Sequence, residues 1–133
     1  MSGFFGSISK NDCVDDVFYG TDYHSHLGTK RAGIAFFSGK NGFQRAIHSL
    51  EDGYFRNKFE NDIKGFAGNC GIGVISDSEA QPMVVNSHFG RFGVATVSRI
   101  VNINDLEEHF LKLHHTFSET SQGTVNPTEL ISM

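Results

Sequence analysis

The sequence has no tryptophan, and only two prolines and two cysteines among 133 residues. Cys13 and Cys70 lie far apart, a spacing that provides neither a disulfide framework nor a zinc knuckle. Long apolar runs are missing as well. No stretch approaches the roughly 18 residues of a membrane span, so no membrane partner is expected. A charged leader ahead of an apolar core is also lacking, and the cytoplasm is the expected compartment. There is no basic run, and 11 Lys and Arg stand against 15 Asp and Glu for a net charge of −4. A nucleic-acid face needs clustered Lys and Arg, so no nucleic-acid partner is expected.

What is present fits one domain with a modest core, built on 13 phenylalanines. Gly3 to Ser9 reads as a strand, and Asp12 as the N-cap of a helix over about 13–24 with Val14, Val17 and Phe18 on its apolar face. Ala32–Phe37 and Phe43–Leu50 read as a hairpin around Lys40-Asn41-Gly42. Phe55, Phe59 and Ile63 recur every four residues in a helix over about 51–65. Three strands follow, Gly71–Ile75, Met83–His88 and 92–101, an order that fits a meander. A helix over 105–117 is expected to be capped by Asn104 with Glu107, burying Leu106, Phe110, Leu113 and Phe117. Pro127 opens a final helix over Thr128–Met133. Ending on a fresh helix reads as a fragment of something longer. The order implies an α+β fold with helices on largely antiparallel sheets.

The first six residues, Met1-Ser2-Gly3-Phe4-Phe5-Gly6, form an apolar strand start with a nucleophile-type side chain at position 2. If Met1 is removed, Ser2 presents a hydroxyl and a free α-amine on one residue, the combination of N-terminal-nucleophile hydrolases. The plainer reading is a first strand with a small residue at its start. Seven histidines raise a metal hypothesis. His24 and His26, His114 and His115, and the Asp105–His109 pair all lack a third ligand at a recognisable spacing, so no metal is expected. Ser38-Gly39-Lys40 lacks the glycine-rich lead of a phosphate loop and reads as a hairpin turn. Cys70 has no histidine partner at a diagnostic spacing and reads as a core thiol.

Three stretches together resemble class II glutamine amidotransferases, and within them glutamine phosphoribosylpyrophosphate amidotransferases. They are Ser2-Gly3-Phe4-Phe5-Gly6; Tyr19-Gly20 with His26-Leu27-Gly28 and Ala32-Gly33-Ile34-Ala35; and Asn69-Cys70-Gly71-Ile72-Gly73 with Ala80-Gln81-Pro82 and Val85-Asn86-Ser87. The resemblance implies an N-terminal-nucleophile hydrolase-like α-β-β-α sandwich. Residues 1–133 would be the N-terminal portion only of a longer glutaminase domain, with a phosphoribosyltransferase domain beyond it. No cofactor is implied.

Carried over position by position, the resemblance places the nucleophilic cysteine on Ser2. The arginine of its His-Arg-Gly motif falls on Leu27, which donates nothing. Its glutamine-holding arginine falls on Ser76, whose short hydroxyl cannot form the bidentate fork that a guanidinium offers a carboxylate. Asp77 and Glu79 stand close by in sequence and would repel that carboxylate. Its His-Asn-Gly-Asn oxyanion segment falls on Thr96-Val97-Ser98-Arg99, so the asparagine amide becomes apolar Val97 and the glycine becomes Ser98. Losing one oxyanion donor costs roughly 2.7–4 kcal/mol. Its acidic residue for the substrate amine falls near Asn126 or Pro127, both uncharged. The expectation is a glutaminase-type domain without glutaminase activity. Two alternatives stay open: an amide hydrolase or amidotransferase with Ser2 as nucleophile, and a regulatory module whose altered pocket takes a small anionic metabolite. Glutamine or such an anion is the expected small partner, and a homo-oligomer is possible.

Overall fold

The computed structural model describes residues 2–26, 30–77, 79–118, 120–121 and 123–133. Four strands make the main sheet: β1 (Gly3–Ile8), β2 (Arg31–Ser38), β3 (Gly42–Ser49) and β4 (Cys70–Ser76). Their spatial order is β1-β4-β2-β3, antiparallel throughout, which puts β4 between β1 and β2. Side chains alternate across a strand. One face therefore presents Phe5, Ala32, Ile34, Phe36, Ala46 and Ile75, and the other presents Phe4, Ala35, Phe37, Phe43 and Ile72.

Helices α1 (Val14–Ser25) and α2 (Phe55–Ile63) cover the first face. Asp12 supports the start of α1, accepting from Val14 N at 3.0 Å and Gly68 N at 3.0 Å. The apolar stripe of α1 is buried as the spacing requires, with Val14, Val17 and Phe18 all inside. Thr21 lies over β4 so closely that a Cβ on Gly73 would stand 1.8 Å from its Oγ1. In α2 the four-residue spacing stacks Phe55 on Phe59 at 4.5 Å between centroids, and Phe18 joins them at 5.4 Å from Phe55. Asp22, buried at the end of α1, is answered by Arg56 Nε at 2.8 Å, and Arg56 also lies over the Tyr19 ring. Hydrogen bonding and charge from Asp22 hold the Arg56 guanidinium above its ordinary pKa. Phe59 is fully buried. Phe59→Ala is expected to cost about 3–5 kcal/mol, read as a lower urea midpoint at unchanged slope.

The second face is covered by a hairpin, β5 (Met83–Ser87) and β6 (Gly90–Val94). The hairpin forms its own two-stranded sheet, so the expected meander with β4 does not exist. Strand β6 also stops at Val94 instead of continuing to 101. Beyond it, the backbone of Thr96 bonds to the side chain of Gln81 and not to a neighbouring strand. Helix α3 (Ile103–Lys112) starts two residues earlier than expected, with Asn102 rather than Asn104 at its N-cap and no side-chain cap bond. It ends before Leu113, where His114 takes a left-handed φ of 63°. None of its residues is buried, because α3 rests chiefly on the five-residue helix α4 (Pro127–Ile131). A short hairpin, β7 (Thr120–Ser121) and β8 (Thr124–Val125), precedes α4 and gave no sequence signal. Asn126 caps α4, accepting from Thr128 N at 2.9 Å, with Pro127 in the first turn as expected. No helix among the described residues is long and apolar enough to cross a membrane.

Candidate functional site

Ser2 is half-buried and enters β1 just before Gly3, whose cross-strand partner is Ile75. It therefore stands at the sheet end where β4 finishes with Ser76 and β2 begins with Arg31, and those two are partners in register. By strand alternation Ser2, Ser76 and Arg31 belong to the face that looks toward β5 and β6. The opposite side of this sheet end is filled by His24 from α1, whose Nδ1 lies 2.9 Å from where a Cβ of Gly3 would be.

The segment holding Val97 and Ser98 is brought to the same end by a buried polar belt. Gly33, cross-strand from Val74, lets the Gln81–Pro82 backbone settle onto β2. The Gln81 side chain then clamps Thr96, donating from Nε2 to its carbonyl at 3.0 Å and accepting from its N–H at 2.6 Å. Thr96 Oγ1 meets Thr128 Oγ1 at 2.8 Å, and Asn126 Nδ2 donates to the Ala80 carbonyl at 3.2 Å. Gln81, Asn126 and Thr128 are all buried. Each is therefore a polar side chain whose hydrogen bonds fix the approach to Val97.

Ser76 is buried, and its Oγ donates to the Glu79 carbonyl at 2.5 Å. That hydroxyl is committed to closing the turn after β4. Val97 is 42 % exposed and Ser98 and Arg99 are exposed, so position 97 brings no donor to the site. Asn126 and Pro127 carry no charge, and Asn126 is occupied as the cap of α4. Leu27 lies outside the described residues. Cys70, read as a core thiol, is only partly buried, while Cys13 is the core thiol. Burial, first among several causes, pushes the Cys13 thiol up. Among the described residues no three His, Cys, Asp or Glu are grouped to hold a metal ion.

Arg31 was not singled out from the sequence. It is exposed, its side chain makes no hydrogen bond or ion pair with the described residues, and it sits cross-strand from Ser76. Only the pairing of β2 with β4 reveals this, because nothing in the local sequence marks position 31.

These layers, with a first strand beginning at Gly3 directly after Ser2 and a helix-backed antiparallel sheet facing a second sheet, define an N-terminal-nucleophile-type α+β sandwich. Solved structures carry the same fold. The chain superposes over 99 % of its length on 28 % of a structure described as the allosteric regulatory enzyme of purine biosynthesis, with a TM-score of 0.81 and 19 % identity. It superposes equally fully, with a TM-score of 0.79 and 20 % identity, on 28 % of the glutamine phosphoribosylpyrophosphate amidotransferase from B. subtilis in complex with ADP and GMP. In sequence it is 29 % identical over 137 positions to the amidophosphoribosyltransferase of Methanocaldococcus jannaschii, across 94 % of this chain and 28 % of that protein. No family model matches the chain. The resemblance read from its motifs is thus shown in both sequence and fold. The chain spans about 28 % of the length of the relatives it matches.

Proposed function

We propose that this chain is the N-terminal part of a glutamine amidotransferase-like domain from an amidophosphoribosyltransferase-like protein, and that it does not hydrolyse glutamine. The observation that carries this reading is the state of Ser76. Where the relatives' motif has a guanidinium to grip the substrate carboxylate, this chain has a short hydroxyl already donated to Glu79. Val97 compounds the loss by leaving a tetrahedral intermediate without its side-chain donor. By this reading the domain serves as a scaffold or regulatory module for a phosphoribosyl-transferring partner domain in purine biosynthesis, in the cytoplasm, with self-association as a further property. The likeness to the purine-biosynthetic relatives supports that assignment.

The test is ammonia release from glutamine by protein whose N-terminus has been confirmed by mass spectrometry to be Ser2. No release above a heat-inactivated control is expected. Release that disappears in Ser2→Ala would instead establish Ser2 as a working nucleophile and the chain as an amide hydrolase.

Arg31 favours a second reading, a pocket that takes a small anion other than glutamine. A guanidinium cross-strand from Ser76 and unpartnered among the described residues, with Arg99 on the neighbouring segment, offers the charge that the buried serine lacks. Thermal shift with a panel of small mono- and dicarboxylates is expected to show stabilisation that Arg31→Gln abolishes. A flat response across the panel counts against it.

A further inference from the structure

The turn that joins β2 to β3 carries chemistry that the functional reading does not use. Asn41 is the only asparagine in the chain that is followed by a glycine. A glycine there leaves the next backbone nitrogen uncrowded, so it can reach the asparagine side-chain carbonyl and close a five-membered imide. Ser38 and Gly42 are the last register partners of the hairpin, and Asn41 lies exposed between them. Its N–H donates to Ser38 Oγ at 2.9 Å, while its side-chain amide makes no hydrogen bond with the described residues. Gly42 holds a left-handed φ of 68°, and a Cβ added at Gly39 or Gly42 would meet nothing within 4 Å. Among the described residues, no packed neighbour has to move for this turn to rotate.

Other positions open to the same ring closure are held. Asp52-Gly53 is the chain's one aspartate–glycine pair. Lys58 Nζ donates to Asp52 Oδ1 at 2.7 Å, and the Lys58 side chain lies across Gly53, with Cε 2.9 Å from where a Cβ would be. That hydrogen bond, with the charge behind it, keeps Asp52 below its ordinary pKa, and an ionised carboxylate has no leaving group for ring closure. Asn57 and Asn61 lie within α2, where Lys58 N is bonded to the Tyr54 carbonyl, and Asn86 lies within β5. Asn126 precedes Pro127, which has no N–H to give up.

We propose that Asn41-Gly42 is a self-modification site, at which the folded chain converts Asn41 to isoaspartate and aspartate. The Gly42 nitrogen bonds to the Asn41 side-chain carbonyl carbon. The side-chain nitrogen leaves as ammonia, taking up the proton that the Gly42 nitrogen gives up. Water then breaks one of the two C–N bonds of the imide. Breaking the new bond gives aspartate, and breaking the original peptide bond gives isoaspartate, which carries the backbone through one more carbon. Either product adds a negative charge to a chain already at −4, and isoaspartate lengthens the turn between Ser38 and Gly42. The site is confined to the turn and uses nothing at the Ser2 end, so it stands whether or not glutamine is hydrolysed.

The full chain is incubated at mildly alkaline pH, folded and in parallel unfolded in urea. Each asparagine is followed by peptide mass spectrometry, with isoaspartate identified by its own fragmentation. An exposed turn opens locally at little cost, so Asn41 is expected to convert in the folded chain within about tenfold of its unfolded rate. Asn86, held in β5, is expected to be slowed by folding at least about tenfold more than Asn41 is. Isoaspartate is expected at position 41 together with aspartate. Ion exchange is expected to show a growing acidic species that Asn41→Gln lacks, because the larger ring it requires closes far more slowly. Asn41 that survives in the folded chain while the unfolded chain converts would overturn the proposal. Aspartate without isoaspartate would also overturn it, by showing direct hydrolysis, as would isoaspartate forming at Asp52 as fast as at Asn41.

Discussion

Gly33→Ala is expected to be the most damaging single-methyl change in this chain. A Cβ at position 33 would stand 1.7 Å from the Gln81 carbonyl oxygen and 2.7 Å from both the Gln81 carbonyl carbon and Pro82 Cδ. The obstacle is mostly backbone, so no rotamer change can relieve it. Either β2 or the Gln81–Pro82 segment must move. Gln81 is also the residue that clamps Thr96, so a shift there strips hydrogen bonds from buried polar groups as well. Overpacking of this kind costs about 3 kcal/mol, and unpaired buried polar groups add to it. Against a total stability of roughly 5–15 kcal/mol, that is a large share. Thermal unfolding is expected to drop by about 10 °C. Gly39→Ala is the control, since a Cβ there meets nothing within 4 Å. A Gly33→Ala protein as stable as Gly39→Ala would show that the two sheets are not seated through this contact.

The elements with strong local patterns were legible in the sequence. Val14, Val17 and Phe18 marked α1, the four-residue phenylalanine spacing marked α2, and the Lys40-Asn41-Gly42 turn joined β2 to β3. The misreadings share one physical cause, which is that distant partners decide local structure. Residues 95–101 have the composition of a strand, yet the Gln81 amide supplies the partners that a ladder would otherwise provide. The stripe on α3 has helical period, but period cannot say whether another surface covers it, and here little does. The candidate site shows the same division. Ser2, Ser76, Val97 and Ser98 became candidates through the order of motifs along the chain. Arg31 was invisible because its relation to Ser76 exists only once β2 and β4 pair. The Thr96–Thr128 contact likewise joins residues that no local window contains.

Restoring the thiol is expected not to restore the reaction. Ser2→Cys, with Met1 removed, should release ammonia from glutamine no faster than the unsubstituted chain. A thiol is the better nucleophile, but it acts only on a carbonyl that is held and polarised. On the proposed reading, position 76 offers glutamine no grip, because the Ser76 hydroxyl is bonded to Glu79 and its side chain is buried. Hydrogen bonds to a charged group are worth about 1.5–3 kcal/mol each, and a bidentate arginine fork supplies two of them. On the same reading, polarisation is weakened at Val97, where a missing side-chain donor costs a factor of about a hundred to a thousand. These deficits act on binding and on the chemical step separately, so a stronger nucleophile compensates for neither. Adding Val97→Asn separates them, because residue 97 is partly exposed in an irregular segment and the change should leave stability within about 0.5 kcal/mol. The double variant is still expected to show no saturable glutamine hydrolysis, since nothing at position 76 grips the carboxylate. Saturable ammonia release by Ser2→Cys alone would mean that another group holds glutamine at this sheet end. Arg31 would then be the first residue to substitute.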